Sequence, residues 1–159
     1  MPKTNAMRVL DARKVPYTVH EYSDEIRGTE GVAAALGVSE SDVYKTLVVL
    51  PETAGRKPLL VIVPGPRELN LRSLAKQIGE KSLRMATHKE AEQLTGLKVG
   101  GISALALLNK GFTVYIDAAA QEHESIYVSA GQRGINLRLK VDDLIRVTGA
   151  KVVRATDES

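Results

Sequence analysis

The chain has 159 residues, 43% of them apolar, and a formal net charge of +3 from 22 basic and 19 acidic side chains. A chain of this size buries roughly two-thirds of the surface that it exposes when unfolded, which predicts one domain over residues 1–159. The absence of cysteine excludes a thiol nucleophile, a disulfide framework and thiolate metal sites. Because no apolar run reaches the roughly 18 residues of a membrane helix and the start is too charged for a secretory signal, we expect a cytoplasmic protein without a membrane partner.

The basic residues are unevenly distributed along the chain. Between residues 131 and 154 there are six basic residues against two acidic ones. A clustered positive field concentrates phosphates, so this segment predicts an anionic partner, although a merely solvated face explains it equally well. With no tryptophan, one phenylalanine and five tyrosines, we expect a nucleic acid to be held mainly by its backbone or by one terminal nucleotide.

The first half of the chain predicts short helices and strands at close spacing. Thr4 or Asn5 caps a helix that runs to about Lys14, and Pro16 ends it. Runs of β-branched residues and glycine or proline breaks define the other elements. These are a strand at 17–22, a helix at 29–36 closed by Gly37, and strands at 43–50 and 59–63.

The second half continues the same mixed order. Asn70 caps a helix that ends at Gly79, and Thr87 with Glu90 forms a capping box for a helix that ends before Gly96. The remaining elements are strands at 82–86, 112–117, 125–129, 135–140 and 151–154 and a helix around 143–147. Eight short strands with four or five short helices predict an α+β domain, with a mixed, β-barrel-like sheet surrounded by helices.

Familiar catalytic and metal-binding motifs are missing from the sequence. The three histidines share no close spacing, and there is no phosphate-binding loop, dinucleotide fingerprint or GxSxG turn. We therefore expect no cofactor and no metal. An enzyme built from these residues would act through substrate positioning and backbone electrostatics.

Three short segments carry candidate chemistry. Lys45 shares a strand face with two aliphatic residues, which indicates either a pocket that holds an anion or an edge-strand lysine reaching water. Gly100 and Gly101 let the backbone approach a ligand and aim N–H groups at an oxyanion, with Ser103 adding a hydroxyl, but an ordinary turn also fits. Arg133 lies in a glycine-rich turn that suits an anion nest or a plain hairpin.

These segments, with two others, resemble the YbaK/proline-tRNA-synthetase-associated family of aminoacyl-tRNA editing domains, closest to the YbaK-type Cys-tRNA(Pro) deacylases. Each motif is weak alone, but their order and spacing cover almost the whole chain. The matching segments are HEY at 20–22, YKTL at 44–47, ELNL at 68–71, VGGIS at 99–103 and YVSAGQRG at 127–134.

The resemblance implies a mixed β-barrel domain that acts in trans on mischarged tRNA and hydrolyses the ester to the terminal ribose. It implies that Lys45 positions the tRNA 3′ end and that Gly100 and Gly101 stabilise the oxyanion beside the ester. Ala104 departs from the family, whose loop commonly has proline there. The other implied substrate-binding residues are Tyr22, Thr46, Ile102, Ser103, Ser129, Gly131, Arg133 and Gly134.

The resemblance also implies a substrate and partners. The substrate would be Cys-tRNA(Pro), with Cys-tRNA(Cys) as a second candidate, and the substrate's own thiol would attack its carbonyl. The alternatives are a water-using deacylase of the Ala-tRNA(Pro) type and a non-catalytic module that binds tRNA or a synthetase. The implied partners are the aminoacylated acceptor end of tRNA and prolyl-tRNA synthetase.

Overall fold

A computed structural model describes residues 3–157, and this part of the chain contains five α-helices, two 3-10 helices and eight strands. The prediction of an α+β domain is confirmed. The helices are α1 (Asn5–Ala12), α2 (Gly28–Leu36), α3 (Leu71–Ile78), α4 (His88–Thr95) and α5 (Val141–Thr148). The strands are β1 (Thr18–Glu21), β2 (Tyr44–Pro51), β3 (Leu59–Pro64), β4 (Leu83–Met85), β5 (Thr113–Asp117), β6 (Ser125–Ser129), β7 (Ile135–Lys140) and β8 (Lys151–Val153).

The helix caps follow the sequence signals closely. The Asn70 side chain accepts a hydrogen bond from the Ser73 N–H at 3.0 Å and so begins α3. Both hydrogen bonds of the Thr87–Glu90 capping box are formed at the start of α4. Helix α1 ends at Ala12, two residues before the predicted end, because Lys14 has a φ of 57° and so leaves the helical conformation.

The strands form two sheets. Three antiparallel strands have the order β1-β7-β6, and five strands have the order β4-β2-β3-β5-β8, with β5 parallel to both of its neighbours. One isolated bridge, between Val43 and Tyr127, links β6 to the residue before β2. The prediction of barrel closure is wrong, because this single bridge joins the sheets and β1, β4 and β8 each pair on one side only within residues 3–157.

The core lies on both faces of the five-stranded sheet. Central strand β3 is buried along its whole length. Tyr44 and Val48 of β2 point into the core shared with the three-stranded sheet. Leu47 and Val49 point to the other side, where Leu74 of α3 packs. This two-residue period leaves Lys45, near the start of β2, on the same side as Leu47 and Val49.

Candidate functional site

One cavity of about 540 Å³ brings together most of the residues that the sequence singled out. Its wall is formed by the start of α2, the start of β2, the 99–103 loop, the end of β6 and the start of β7. Four of the five segments of the resemblance therefore meet in space, and the fifth, ELNL at 68–71, contributes no residue to the wall. The predicted site residues that line it are Tyr22, Lys45, Thr46, Gly100, Ile102, Ser129 and Arg133.

Four other predicted residues lie outside the lining of this cavity. Gly101 donates its N–H to the Lys98 carbonyl oxygen at 2.8 Å. Ser103 is 2% exposed, and its hydroxyl accepts a hydrogen bond from the Ala106 N–H at 3.3 Å. Gly131 and Gly134 have positive φ values and pack closely against neighbouring segments. The structure thus places these residues as supports for the wall.

Lys45 presents an ammonium group at the cavity. Its Nζ donates to the Gly65 carbonyl oxygen at 3.1 Å, and no carboxylate lies within 4.0 Å of it in the described chain. Gly65 is held in turn, because its N–H donates to Val43 O at 2.8 Å and a Cβ there would fall 2.3 Å from Thr29 Oγ1. Because an ammonium has three donors, Lys45 keeps two for a ligand.

The glycine loop is clamped from two sides at Val99. The Val99 N–H donates to the Glu92 carboxylate at 2.9 Å, which lowers the pKa of Glu92, and the Val99 carbonyl accepts from Arg133 Nε at 2.8 Å. Gly100 follows with a φ of +93°, a conformation that favours glycine. Within residues 3–157 the N–H groups of Gly100 and Ile102 donate to no protein acceptor. Both residues line the cavity.

The charge of the cavity wall is entirely positive. Arg27, Lys45 and Arg133 line it together with His88, and no aspartate or glutamate does. None of the three cations forms an ion pair with a carboxylate in the part of the chain that the structure describes. Such a wall favours an anionic ligand, because the field of unpaired charges is concentrated in a concave site.

Several residues that line the cavity were not predicted from the sequence as site residues. Asn136 is 4% exposed, and its Oδ1 accepts a hydrogen bond from the Tyr22 hydroxyl at 3.3 Å. Burial raises the pKa of Tyr22, which keeps this phenol protonated as a donor. Asn136 looked like a solvent-facing residue because it alternates with apolar Ile135 and Leu137. Arg27 and His88 belonged to no motif that indicates ligand binding.

The part of the chain that the structure describes contains neither a cluster of metal-ligating side chains nor a membrane-spanning helix. No group of three or more histidine, cysteine, aspartate or glutamate side chains is arranged to hold a metal ion. None of the helices in residues 3–157 is long and apolar enough to cross a membrane.

A mixed α+β domain with a cationic, amide-lined cavity has the properties of a protein that binds a phosphate-bearing ligand. The family model described as "Aminoacyl-tRNA editing domain" matches residues 23–147. The chain belongs to this family. The prediction of an aminoacyl-tRNA editing enzyme is thereby confirmed at the level of the family.

Individual relatives agree with this assignment. The chain is 36% identical over 156 residues to an Enterococcus faecalis protein named "Putative Cys-tRNA(Pro)/Cys-tRNA(Cys) deacylase EbsC", covering 97% of this chain and 93% of the relative. It is 29% identical over 133 residues to a proline--tRNA ligase of Shouchella clausii, covering 84% of this chain and 21% of that ligase. A crystal structure described as "a putative trans-editing enzyme for prolyl tRNA synthetase" has a TM-score of 0.82 at 25% identity, covering 99% of this chain and 100% of the other.

Proposed function

We propose that this chain acts in trans as a deacylase of mischarged Cys-tRNA(Pro), with Cys-tRNA(Cys) as a second substrate. The observation that carries the proposal is that Lys45, Arg133 and Gly100 line one cavity whose wall contains no carboxylate. An aminoacylated tRNA end supplies the matching groups, namely phosphates and an ester carbonyl. The named activity of the Enterococcus relative and the likeness to prolyl-tRNA synthetases support the same substrate class.

The cations position the tRNA end. Lys45 contacts the terminal phosphate or ribose as a compact point charge, with the Gly65 carbonyl fixing its direction. Arg133 Nε donates to the Val99 carbonyl oxygen, so the two terminal nitrogens of the guanidinium remain to bind a second oxygen of the tRNA end. Holding the ester in one orientation removes much of the entropic barrier to its cleavage.

The loop amides stabilise the charge that develops during the reaction. As the ester carbonyl becomes tetrahedral, the Gly100 and Ile102 N–H groups donate to its oxygen. The Gly101 N–H takes no part because it is committed to the Lys98 carbonyl oxygen. Loss of one such donor in an enzyme costs roughly 3 kcal/mol of transition-state stabilisation.

The nucleophile comes from the substrate. The cysteinyl sulfur, as thiolate, attacks its own ester carbonyl, a C–S bond forms, the C–O bond to the ribose breaks, and the released ribose oxygen takes up a proton. The protein then needs no thiol, and it has no cysteine. Selectivity follows from this chemistry, because cavity size alone separates small side chains by only about 1–3 kcal/mol.

A deacylation panel tests the substrate. tRNA(Pro) charged separately with cysteine, alanine and serine is incubated with the protein, and the loss of each ester is followed. We expect rapid release from the cysteinyl ester and at least 100-fold slower release from the other two, because neither carries a thiol. Release of alanine with cysteine spared would overturn the thiol mechanism in favour of a water-using deacylase, and no release from any ester would leave a binding module.

Lys45→Ala tests the positioning role in the same assay. We expect kcat/KM to fall at least 100-fold, because the ammonium that orients the tRNA end is lost. Lys57→Ala is the matched control, since Lys57 is exposed and lies in the loop between β2 and β3. Equal activity of the two variants would contradict the role assigned to Lys45.

A further inference from the structure

The face of the three-stranded sheet that is turned away from the main core continues from the cavity, and the side chains on it are all polar or aromatic. The pairing register sets them in rows, because residues opposite one another in antiparallel strands point to the same side. The first row is His20, Asn136 and Ser129, the second is Thr18, Arg138 and Tyr127, and the third is Lys140 and Ser125. These eight residues are called the outer face.

The outer face begins at the cavity mouth. Asn136 and Ser129, from its first row, are themselves cavity-lining residues. Arg138 and Tyr127 lie two residues further along their strands, which is about 7 Å away. A ligand that leaves the cavity in this direction therefore meets the second row next.

The second row combines an aromatic ring with a cation. The Tyr127 ring packs edge-to-face with the His20 ring, with 5.1 Å between centroids, and the Arg138 guanidinium carbon lies 6.0 Å from the Tyr127 centroid. Tyr127 also packs against the apolar cluster of Val32 and Val43, which fixes the ring in place. A fixed ring with a guanidinium over it offers the aromatic and cationic groups on which the bases of single-stranded nucleic acids stack.

The charge of the outer face suits a polyanion. Arg138 and Lys140 are exposed, and neither forms an ion pair within the described ranges of the chain. None of the eight residues of the outer face is acidic. The positive wall of the cavity is thus extended outward along one sheet face.

We infer that the outer face is the track for the single-stranded nucleotides that precede the terminal adenosine of the tRNA. One base stacks at Tyr127, and the adjoining phosphates contact Arg138 and Lys140. The inference rests on the proposed function, since it assumes that the aminoacylated adenosine occupies the cavity. It adds a stacked base to the backbone contacts expected from the low aromatic content.

The experiment compares two substrates that differ only in these nucleotides. Aminoacylated tRNA(Pro) and the same aminoacyl group on adenosine alone are given to each variant, with the amino acid that the panel shows to be released. Arg138→Gln/Lys140→Gln removes both cations, and Tyr127→Leu removes the ring. Arg72→Gln/Lys76→Gln is the matched control, because these two residues of α3 are exposed and α3 packs on the far side of the five-stranded sheet.

The measured quantity is the ratio of kcat/KM for the tRNA to that for the adenosine ester. We expect the ratio to fall at least tenfold in the double variant and about fivefold or more in Tyr127→Leu, and to stay constant in the control. Tyr127→Phe keeps the ring and should keep the ratio, which separates stacking from a general loss of packing. An unchanged ratio in both outer-face variants overturns the inference while leaving the deacylase proposal intact.

A binding measurement makes the inference independent of turnover. A fluorescent RNA single strand ending in CCA is titrated at several salt concentrations. Loss of two phosphate contacts should reduce the slope of log affinity against log salt by about 1.4 in Arg138→Gln/Lys140→Gln. An equal slope in wild type and double variant would contradict the phosphate contacts, even if no ester were cleaved.

Discussion

The two loop glycines have different roles, although they are adjacent. Gly100 faces the cavity with a positive φ, and its nearest obstacle to a Cβ is Arg133 Nε at 3.6 Å. At Gly101, which has no positive φ, a Cβ would lie 2.9 Å from backbone atoms of Gln132 and Arg133. Gly101 therefore allows the loop and the turn to touch, and this contact sets the position of the Gly100 amide.

Gly101→Ala should consequently damage both stability and activity. The new methyl group forces the loop away from the turn, which we expect to cost about 1–3 kcal/mol in the free energy of unfolding. It should also reduce kcat at least tenfold, because the Gly100 N–H moves with the loop. Urea unfolding and the deacylation assay measure the two effects.

Gly55→Ala is a suitable comparison for this variant. Gly55 has a φ of +83° with nothing near its Cβ position, so alanine there introduces backbone strain in the loop between β2 and β3. Strain of about 1–2 kcal/mol is expected without a change in kcat. A Gly101→Ala protein with wild-type kcat would show that the loop position does not matter to the reaction.

At the residue scale the sequence indicated many of the residues that line the cavity but not all of them. Lys45 and Gly100 were recognisable because a lysine in an apolar strand and paired glycines are unusual. Asn136 was not recognisable, because its burial depends on Tyr22 reaching it across 114 residues of sequence. Local patterns carry no information on such a contact.

Among the elements, helix α4 combines two roles, since it positions the glycine loop through Glu92 and begins with a charged cap. Arg84 contacts both carboxylate oxygens of Glu90, at 2.8 and 2.7 Å, and the Thr87 N–H donates to the same group at 2.9 Å. The bonds from Arg84 and from the Thr87 backbone lower the pKa of Glu90 to about 2. The cap is therefore formed by an ionised carboxylate.

This lowered pKa predicts an acid-dependent contribution to stability. Because the folded-state pKa is about 2 and the ordinary value is 4.5, the contribution is fully present above pH 4.5 and is lost as the pH falls toward 2. Wild type should be more stable than Glu90→Gln at pH 7, and the difference should shrink steadily below pH 4.5. Urea unfolding of both proteins from pH 7 to 2.5 measures it.

The control for this titration is Glu25→Gln, at an exposed position that forms no ion pair in the described chain. It should show no comparable change between pH 7 and pH 2.5. If the difference in the free energy of unfolding between wild type and Glu90→Gln stayed constant with pH, the ionised carboxylate of Glu90 would stabilise the helix cap no more than the neutral one does.

Element positions were predictable where the cap is local, as at Asn70 and Thr87. The two 3-10 helices, Glu40–Asp42 and Ala118–Glu122, were missed because a single short turn has no hydrophobic period to detect. Barrel closure was predicted wrongly for a different reason. Strand number and composition do not determine whether two sheets join by many hydrogen bonds or, as here, by the one bridge at Val43.

At the scale of the whole molecule, the ELNL segment at 68–71 belongs to the architecture and not to the cavity. Leu69 bridges to Thr156, and the Asn70 N–H donates to the Ala155 carbonyl oxygen at 2.7 Å. The segment that follows β8 is thus fastened beside the start of α3. This long-range connection explains a motif whose residues do not line the cavity.

Asp117 is the centre of that connection. Asp117 is 2% exposed and is the last residue of β5. It accepts hydrogen bonds from the N–H groups of Ala155, Thr156 and Ala119 at 2.7, 2.9 and 3.1 Å and from the Thr156 hydroxyl at 3.1 Å. Arg67 Nη1 lies 3.9 Å from the same group. One side chain therefore holds the end of β5 and the segment after β8 together.

Asp117→Ala should lower the free energy of unfolding by about 3 kcal/mol or more. Four hydrogen-bond donors lose their acceptor, and three of these donors are backbone N–H groups. Asp117→Asn should fall between this variant and wild type, since its amide nitrogen cannot accept the bonds that Oδ2 accepts now. Asp142→Asn, at an exposed position in α5, should change the free energy of unfolding little. If Asp117→Ala unfolded at the wild-type urea concentration, the C-terminal segment would not contribute to the stability of the domain. That result would also contradict the structural role assigned to residues 68–71.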